Sequence, residues 1–357
     1  MLKKHFRYQL WLKRRNEKNL VRRTREKYYK KSKLTKQHIY NKNLKSTLFY
    51  NTARHSFTFQ APSVFSFLYN KDETINFFEK IINFISDKRN YRKNLFIDTA
   101  GIIRFTTDAL MYLLAVISNL NEKFADKYYF SGNDPLDNSV RLKFRESGFC
   151  NFVKHRNKID IRRNTEKIQI VTGDDCDTEV ARQLTDFIRL KGTLDHSTTR
   201  FLYAMIIELM SNTHKHAYNR DDMILPRWYC YAEYDGNDII SFTFMDTGVG
   251  IPASVRKKFF EKIDFLGLKS ESSYIVSALN GEFRTETGKP FRGKGLPKIK
   301  DICMQQKIKR LRIISNNADV CIEKGGVKQL KNKSLLRGTL YTWDISLKYL
   351  RGDTYAY

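Results

Sequence analysis

The sequence predicts an α/β protein in three parts: a basic amino-terminal helical arm (1–45) and two successive α/β segments (46–156 and 166–350). Three observations carry this. Lysine and arginine crowd one end of the chain, short alternating apolar runs take turns with longer runs at helical spacing, and residues 157–165 interrupt that alternation once. A length of 357 residues suits two domains and an arm at about 100–200 residues per domain. With 41% hydrophobic and 13% aromatic residues the chain can fill sizeable cores, which excludes a mostly disordered protein.

The arm holds seventeen Lys and Arg against Glu17 and Glu26, a formal +15 out of the chain's +27. Basic residues alternate there with aromatic and aliphatic ones (His5-Phe6-Arg7-Tyr8, Leu10-Trp11-Leu12, Tyr28-Tyr29-Lys30-Lys31), with no Gly or Pro to break a helix. Such a segment neutralises phosphates while its rings stack on bases, so a nucleic acid is one partner it fits. An acidic protein or an anionic lipid surface fits the same charge run. Five scattered cysteines (Cys150, Cys176, Cys230, Cys303, Cys321) show no zinc-site spacing and read as buried free thiols in a reducing cytoplasm. No run approaches the ~18–20 apolar residues of a membrane span, and no apolar core follows the amino-terminal charges. A cytoplasmic location is therefore expected.

In the first α/β segment, Ser56–Phe59 alternates as a strand and Asp72–Ile85 repeats as a helix, with Thr74 as its candidate cap. Asn94–Asp98 is a compact strand ending on a carboxylate. Thr106–Leu120 is a helix apolar on most sides, followed by a strand at Lys127–Phe130 and a helix at Val140–Glu146 that stops near Gly148. In the second segment Lys167–Val171 opens as a strand.

A helix from Ser197 to Ala217 has an apolar stripe of Leu202, Met205, Ile206, Leu209 and Met210. Glu208, Asn212 and His216 stand one turn apart on one of its faces. An amide oxygen is a ligand for a hard cation, and a carboxylate can orient or deprotonate a water. The alternating strand Ile239–Met245 ends in Asp246-Thr247-Gly248-Val249-Gly250-Ile251. There a buried Asp can accept an amine while two glycines bring the backbone close to a ligand. Arg292-Gly293-Lys294-Gly295-Leu296 opens a helix whose first N–H groups suit phosphate. Gly338-Thr339 starts a last strand, with a hydroxyl placed to join the Asp246 network.

In this order the motifs resemble the gyrase, heat-shock chaperone, histidine kinase and MutL (GHKL) superfamily. Glu208-Leu209-Met210-Ser211-Asn212-Thr213-His214-Lys215-His216-Ala217 matches its N box, Asp246-x-Gly248-x-Gly250-Ile251 its G1 box, Gly293-x-Gly295-Leu296 its G2 box, and Gly338-Thr339 its terminal element. The resemblance spans about 175 residues, Val171 to Leu347. It implies a GHKL-type α/β sandwich, a mixed sheet under helices, with Mg-ATP between the N-box helix and a mobile lid within residues 252–292. ATP and Mg2+ are the implied cofactors. Asn212 is the implied Mg2+ ligand, Asp246 the adenine reader and Glu208 the base; Lys215, His216, Gly248, Gly250, Gly293, Lys294, Gly295, Leu296 and Thr339 complete the nucleotide site. One departure is Pro297, where many kinases carry another glycine.

The first segment resembles a STAS-type domain, the fold of bacterial anti-sigma-factor antagonists, through Phe96–Ile102, Phe105–Leu110 and Arg141–Phe149. Thr107 falls at the phosphoacceptor position of that family, without the preceding Asp and following Gly. The residues there also fit a helix N-cap.

Three uses of the nucleotide follow from the resemblance. ATP binding or hydrolysis switches a conformation, a homodimer or a partner complex; the protein is a serine/threonine kinase akin to the anti-sigma kinases, or a histidine kinase; or ATP is bound without turnover. A histidine kinase needs a phosphoacceptor His on a dimerising hairpin. His196, His214 and His216 lie at or within the N-box helix, and His5, His38, His55 and His155 have no long hairpin around them.

Overall fold

The computed structural model describes residues 56–123, 128–153, 165–216, 225, 227–259, 262–263, 266–268, 270–283, 295–324 and 326–353. The basic arm, most of the 157–165 connection, and Arg292, Gly293 and Lys294 lie outside them. The described residues belong to one compact unit, Arg54–Tyr357.

Its first half runs β1 (Ser56–Gln60), β2 (Val64–Phe65), α1 (Lys71–Ser86), β3 (Asn94–Asp98), β4 (Arg104–Phe105), α2 (Thr107–Lys123), β5 (Tyr129–Gly132) and α3 (Asn138–Glu146). Strands β1, β3 and β5 form a parallel sheet in the order β1-β3-β5, and β2 pairs in parallel with β4. Ile75, Phe78, Ile81 and Ile85 recur at helical spacing along α1 and are all buried. Thr74 does not cap this helix. It lies inside the first turn, and its hydroxyl donates to the Ser66 carbonyl at 3.1 Å while accepting from Ser66 N, also at 3.1 Å. Asp137 does cap α3, accepting from Val140 N at 2.9 Å. Gly148 follows that helix at φ +85°, where a Cβ would meet Gln169 at 2.7 Å, so two separate reasons require glycine there.

The second half runs β6 (Lys167–Gly173), α4 (Thr178–Gly192), α5 (His196–His216), β7 (Trp228–Tyr234), β8 (Ile239–Asp246), α6 (Ile251–Lys258), α7 (Glu271–Leu279), α8 (Gly295–Met304), β9 (Lys309–Glu323), β10 (Gly326–Ser346) and α9 (Leu347–Arg351). Its five strands are ordered β6-β7-β8-β10-β9. All four neighbour pairs are antiparallel, which corrects the mixed sheet implied by the GHKL resemblance. The protein is thus of mixed α/β class, with one parallel and one antiparallel sheet of three or more strands among the described residues.

Both faces of the antiparallel sheet are covered. Trp228, Cys230, Ala232, Phe242, Phe244, Ile313, Tyr341 and Trp343 join the core under α4, α5, α7 and α8. The alternate positions Tyr229, Tyr231, Met245, Ile314 and Leu340 join the core of the first half. Helix α2 packs on β8 and is therefore enclosed on two sides, which is why it is apolar nearly all round. Charge ties the same contact. Asp319 on β9 is fully buried; it meets Lys71 of α1 at 2.6 Å and takes two hydrogen bonds from Arg312, at 2.9 and 2.8 Å. Burial opposes its ionisation, but these partners outweigh burial and hold the carboxyl below its usual value. Arg312 also donates to the Leu68 carbonyl at 3.2 Å. Removing one partner of such a buried cluster typically costs ~3–5 kcal/mol.

Among the described residues no helix is long and apolar enough to cross a membrane. Of the five cysteines expected to be buried, only Cys230 and Cys303 are; Cys150 and Cys321 are half-buried and Cys176 is exposed.

Candidate functional site

Cross-strand register builds the floor of the site. Asp246 at the end of β8 pairs with Trp228 on one side and Thr339 on the other, and Thr339 pairs in turn with Ser315 of β9. Paired residues project to the same face, so Trp228, Asp246, Thr339 and Ser315 form one row across four strands. The row lies on the helix-covered face, since Phe244 and Tyr341, each two residues from a member, are in that core.

Asp246 accepts from Gly248 N at 2.9 Å and is hydrogen-bonded by Thr339. Burial pushes its carboxyl up to about 6 against the pull of those bonds. The buried phenol of Tyr341 is raised well above its ordinary range, first by burial and then by the negative charges of Asp246 and Glu208. Those two carboxylates, from a strand end and from α5, therefore act on one buried hydroxyl.

Glu208 also meets the start of α8. A Cβ on Gly295 would fall 2.0 Å from Glu208 Oε1 and 2.3 Å from its Cγ, so this glycine lets the helix end reach the carboxylate. Pro297 stands in the first turn of α8, where the missing N–H has no partner to lose, so it suits the helix start. Leu296 is half-buried and packs against both the main helix-side core and the small cluster of Val255, Ile263, Tyr274 and Ala278.

Asn212 is half-buried one turn beyond Glu208 on α5. Lys215 and His216 lie in the last turn of that helix, and their side chains are outside the described set, as are Gly293 and Lys294. Gly250 sits at φ +87°, where a Cβ would be 2.7 Å from Asn316 Oδ1 and from Ser315 Oγ. Gly338, at φ +101°, would bring a Cβ to 2.1 Å from the Asp246 carbonyl. Both positions need glycine for conformation and for space. From the structure come the contacts of Asp246 with Gly248 and of Glu208 with Gly295; the sequence anticipates the pairing of Asp246 with Thr339. It misses Tyr341, Ser315 and Asn316, whose only local signal is polarity inside apolar strands.

Helix α7, within the expected lid, is packed into the core. Ile275 and Leu279 are fully buried in the main core, and Ser272 Oγ donates to the Leu330 carbonyl at 2.8 Å. Residues 284–292 of the expected lid lie outside the described set. Thr107 is the first residue of α2, preceded by Thr106, whose hydroxyl bonds both Asp108 and Ser66. Thr107 stands beside Tyr231, on the sheet face opposite Glu208 and Asp246.

The chemistry available is an acceptor carboxylate at the sheet end, a second carboxylate against a glycine-initiated helix, and an amide one turn away. Protonation should weaken the acceptor. If an amine is read at Asp246, Mg-ATP affinity should fall roughly tenfold from pH 7 to pH 5, while Asp246→Asn removes the part of that dependence owed to this group. The stability sign is opposite. A raised carboxyl pKa contributes stability that is complete below the ordinary aspartate value and lost as pH rises through about 6, so acid favours this group in the unliganded protein. Calorimetric titration of both proteins across that range checks it.

No protein-family model matches the chain, and no curated protein matches it.

Proposed function

We propose that the protein binds Mg-ATP at the Glu208/Asp246 site in the manner of GHKL proteins, and that binding or hydrolysis switches its conformation or its assembly with a partner. The meeting of Glu208 with Gly295 at the start of α8, with the charges of Asp246 and Glu208 both acting on Tyr341, carries this reading. Asp246, fixed by Gly248 N and Thr339, accepts the adenine amine; the turn through Gly248 and Gly250 passes the base and sugar; the amino-terminal end of α8 faces phosphate. Asn212 would hold Mg2+, whose chemistry there is charge neutralisation of the triphosphate. Glu208 takes a proton from, or orients, an attacking water.

The position of Thr107 favours switching over phosphorylation within the chain. Thr107 stands beside Tyr231 on the far face of the sheet, so a phosphoryl group at the Glu208 side has the sheet between it and this acceptor. Incubation with γ-labelled ATP tests the reading: label should leave as free phosphate. Label retained on protein establishes a kinase instead, and no binding at all removes the proposal. The arm, with its formal +15, supplies a polyanion contact. Deleting residues 1–45 should flatten the salt dependence of nucleic-acid binding; an unchanged slope points to a protein partner.

A further inference from the structure

Two buried polar residues of β9 hold the candidate base site together. Ser315 is fully buried, and its Oγ accepts from Ile251 N at 3.0 Å, donates to the Gly338 carbonyl at 2.8 Å and lies 3.1 Å from Thr339 Oγ1. Asn316, also buried, adopts φ +52° and uses its whole amide: Oδ1 accepts from Ala253 N at 3.2 Å, and Nδ2 donates to Val249 O at 3.1 Å and Leu336 O at 3.3 Å. Asparagine enters the left-handed region more readily than most residues, and here the β9–β10 register breaks beside it, between Asn316 and Ser315.

The donors can be ordered. Thr339 is the cross-strand partner of Asp246, and an ionised Asp246 only accepts, so the Thr339 hydroxyl is the donor of this pair and its oxygen is left to accept. Ser315 is the hydroxyl beside it, and it shares its single proton between Thr339 and the Gly338 carbonyl while Ile251 N–H fills its acceptor side. The chain of donors runs from the backbone of the glycine turn through Ser315 and Thr339 to Asp246.

We propose that Ser315 is a specificity-determining positioning residue, fixing the Thr339 hydroxyl and thereby Asp246 for recognition of a purine 6-amino group, and that Asn316 positions the Val249–Ala253 turn that passes the base. This rests on the adenine-site reading above. Ser315 touches no ligand; it acts through Thr339.

The test uses the full chain and two nucleotides, Mg-ATP and Mg-inosine triphosphate, the second lacking the exocyclic amine. Wild type should prefer ATP. Ser315→Ala should weaken ATP about tenfold and leave inosine triphosphate nearly unchanged, so the preference collapses. Ser315→Thr should restore it. Asn316→Gly, which tolerates the positive φ, should weaken both nucleotides and keep their ratio. Thr339→Val should lose the same preference as Ser315→Ala, and the double variant no more than either alone; if Ser315→Ala folds poorly, Ser315→Cys, a much weaker donor of similar size, takes its place in the cycle. An ATP preference retained in Ser315→Ala overturns the inference alone. A wild type that binds neither nucleotide, or both equally, overturns the adenine reading and the inference with it.

Discussion

Asn212→Ala should lose Mg-ATP, with affinity falling at least ~100-fold. Magnesium takes few ligands directly from a protein and holds them in strict geometry, so an alanine that offers no oxygen leaves a position only water can fill. The substitution is on a helix that its apolar stripe anchors independently: Leu202, Met205, Ile206, Leu209 and Met210 are all buried, while Asn212 is half-exposed. Alanine also favours the helix more than asparagine does. A loss of binding therefore reports the site and not a loss of fold. Calorimetric titration with and without Mg2+ checks it. The two proteins should differ with the metal and converge in chelator; equal affinity in the presence of Mg2+ refutes the site assignment.

Glu208→Gln should show the opposite division, with ATP affinity kept within about threefold and hydrolysis slowed by ~10²–10⁴. Glutamine preserves the shape that meets Gly295, where alanine would open a hole beside the start of α8. It removes only the charge and the capacity to take a proton. Single-turnover release of labelled phosphate, measured beside equilibrium binding, separates the steps. Unaltered turnover would show that Glu208 is not the base. Loss of binding would instead make it a prop for the helix end.

The two substitutions also show how the candidate site divides between what the chain states locally and what it does not. Glu208 and Asn212 are one helical turn apart in any helix, so their common face is fixed by spacing alone. Asp246 at a strand end, and glycines at 248, 250 and 338, are likewise local. Gly250 and Gly338 do occupy positive-φ turns where a Cβ has no room. The strand β7 was not legible. Trp228, Tyr229, Cys230, Tyr231 and Ala232 are all buried because helices cover one face of the sheet and the first half covers the other, so no alternation survives to mark a strand. Helix α4 has apolar periodicity, with Ala181, Leu184 and Ile188 buried, and was missed beside the stronger motif in α5.

By itself the sequence determined the α/β order, most of the strands and helices, the turn glycines, and the shared face of Glu208 and Asn212, because each depends on residues within a few positions of one another. Tertiary structure alone decided that Ser315 and Thr339 stand in register with Asp246, that the charges of Asp246 and Glu208 both act on the Tyr341 phenol, and that Lys71 and Arg312 neutralise Asp319 where the halves meet. Those relations join residues tens to hundreds of positions apart. They are set by strand register and by which apolar face finds cover, and neither leaves a periodic trace in the chain.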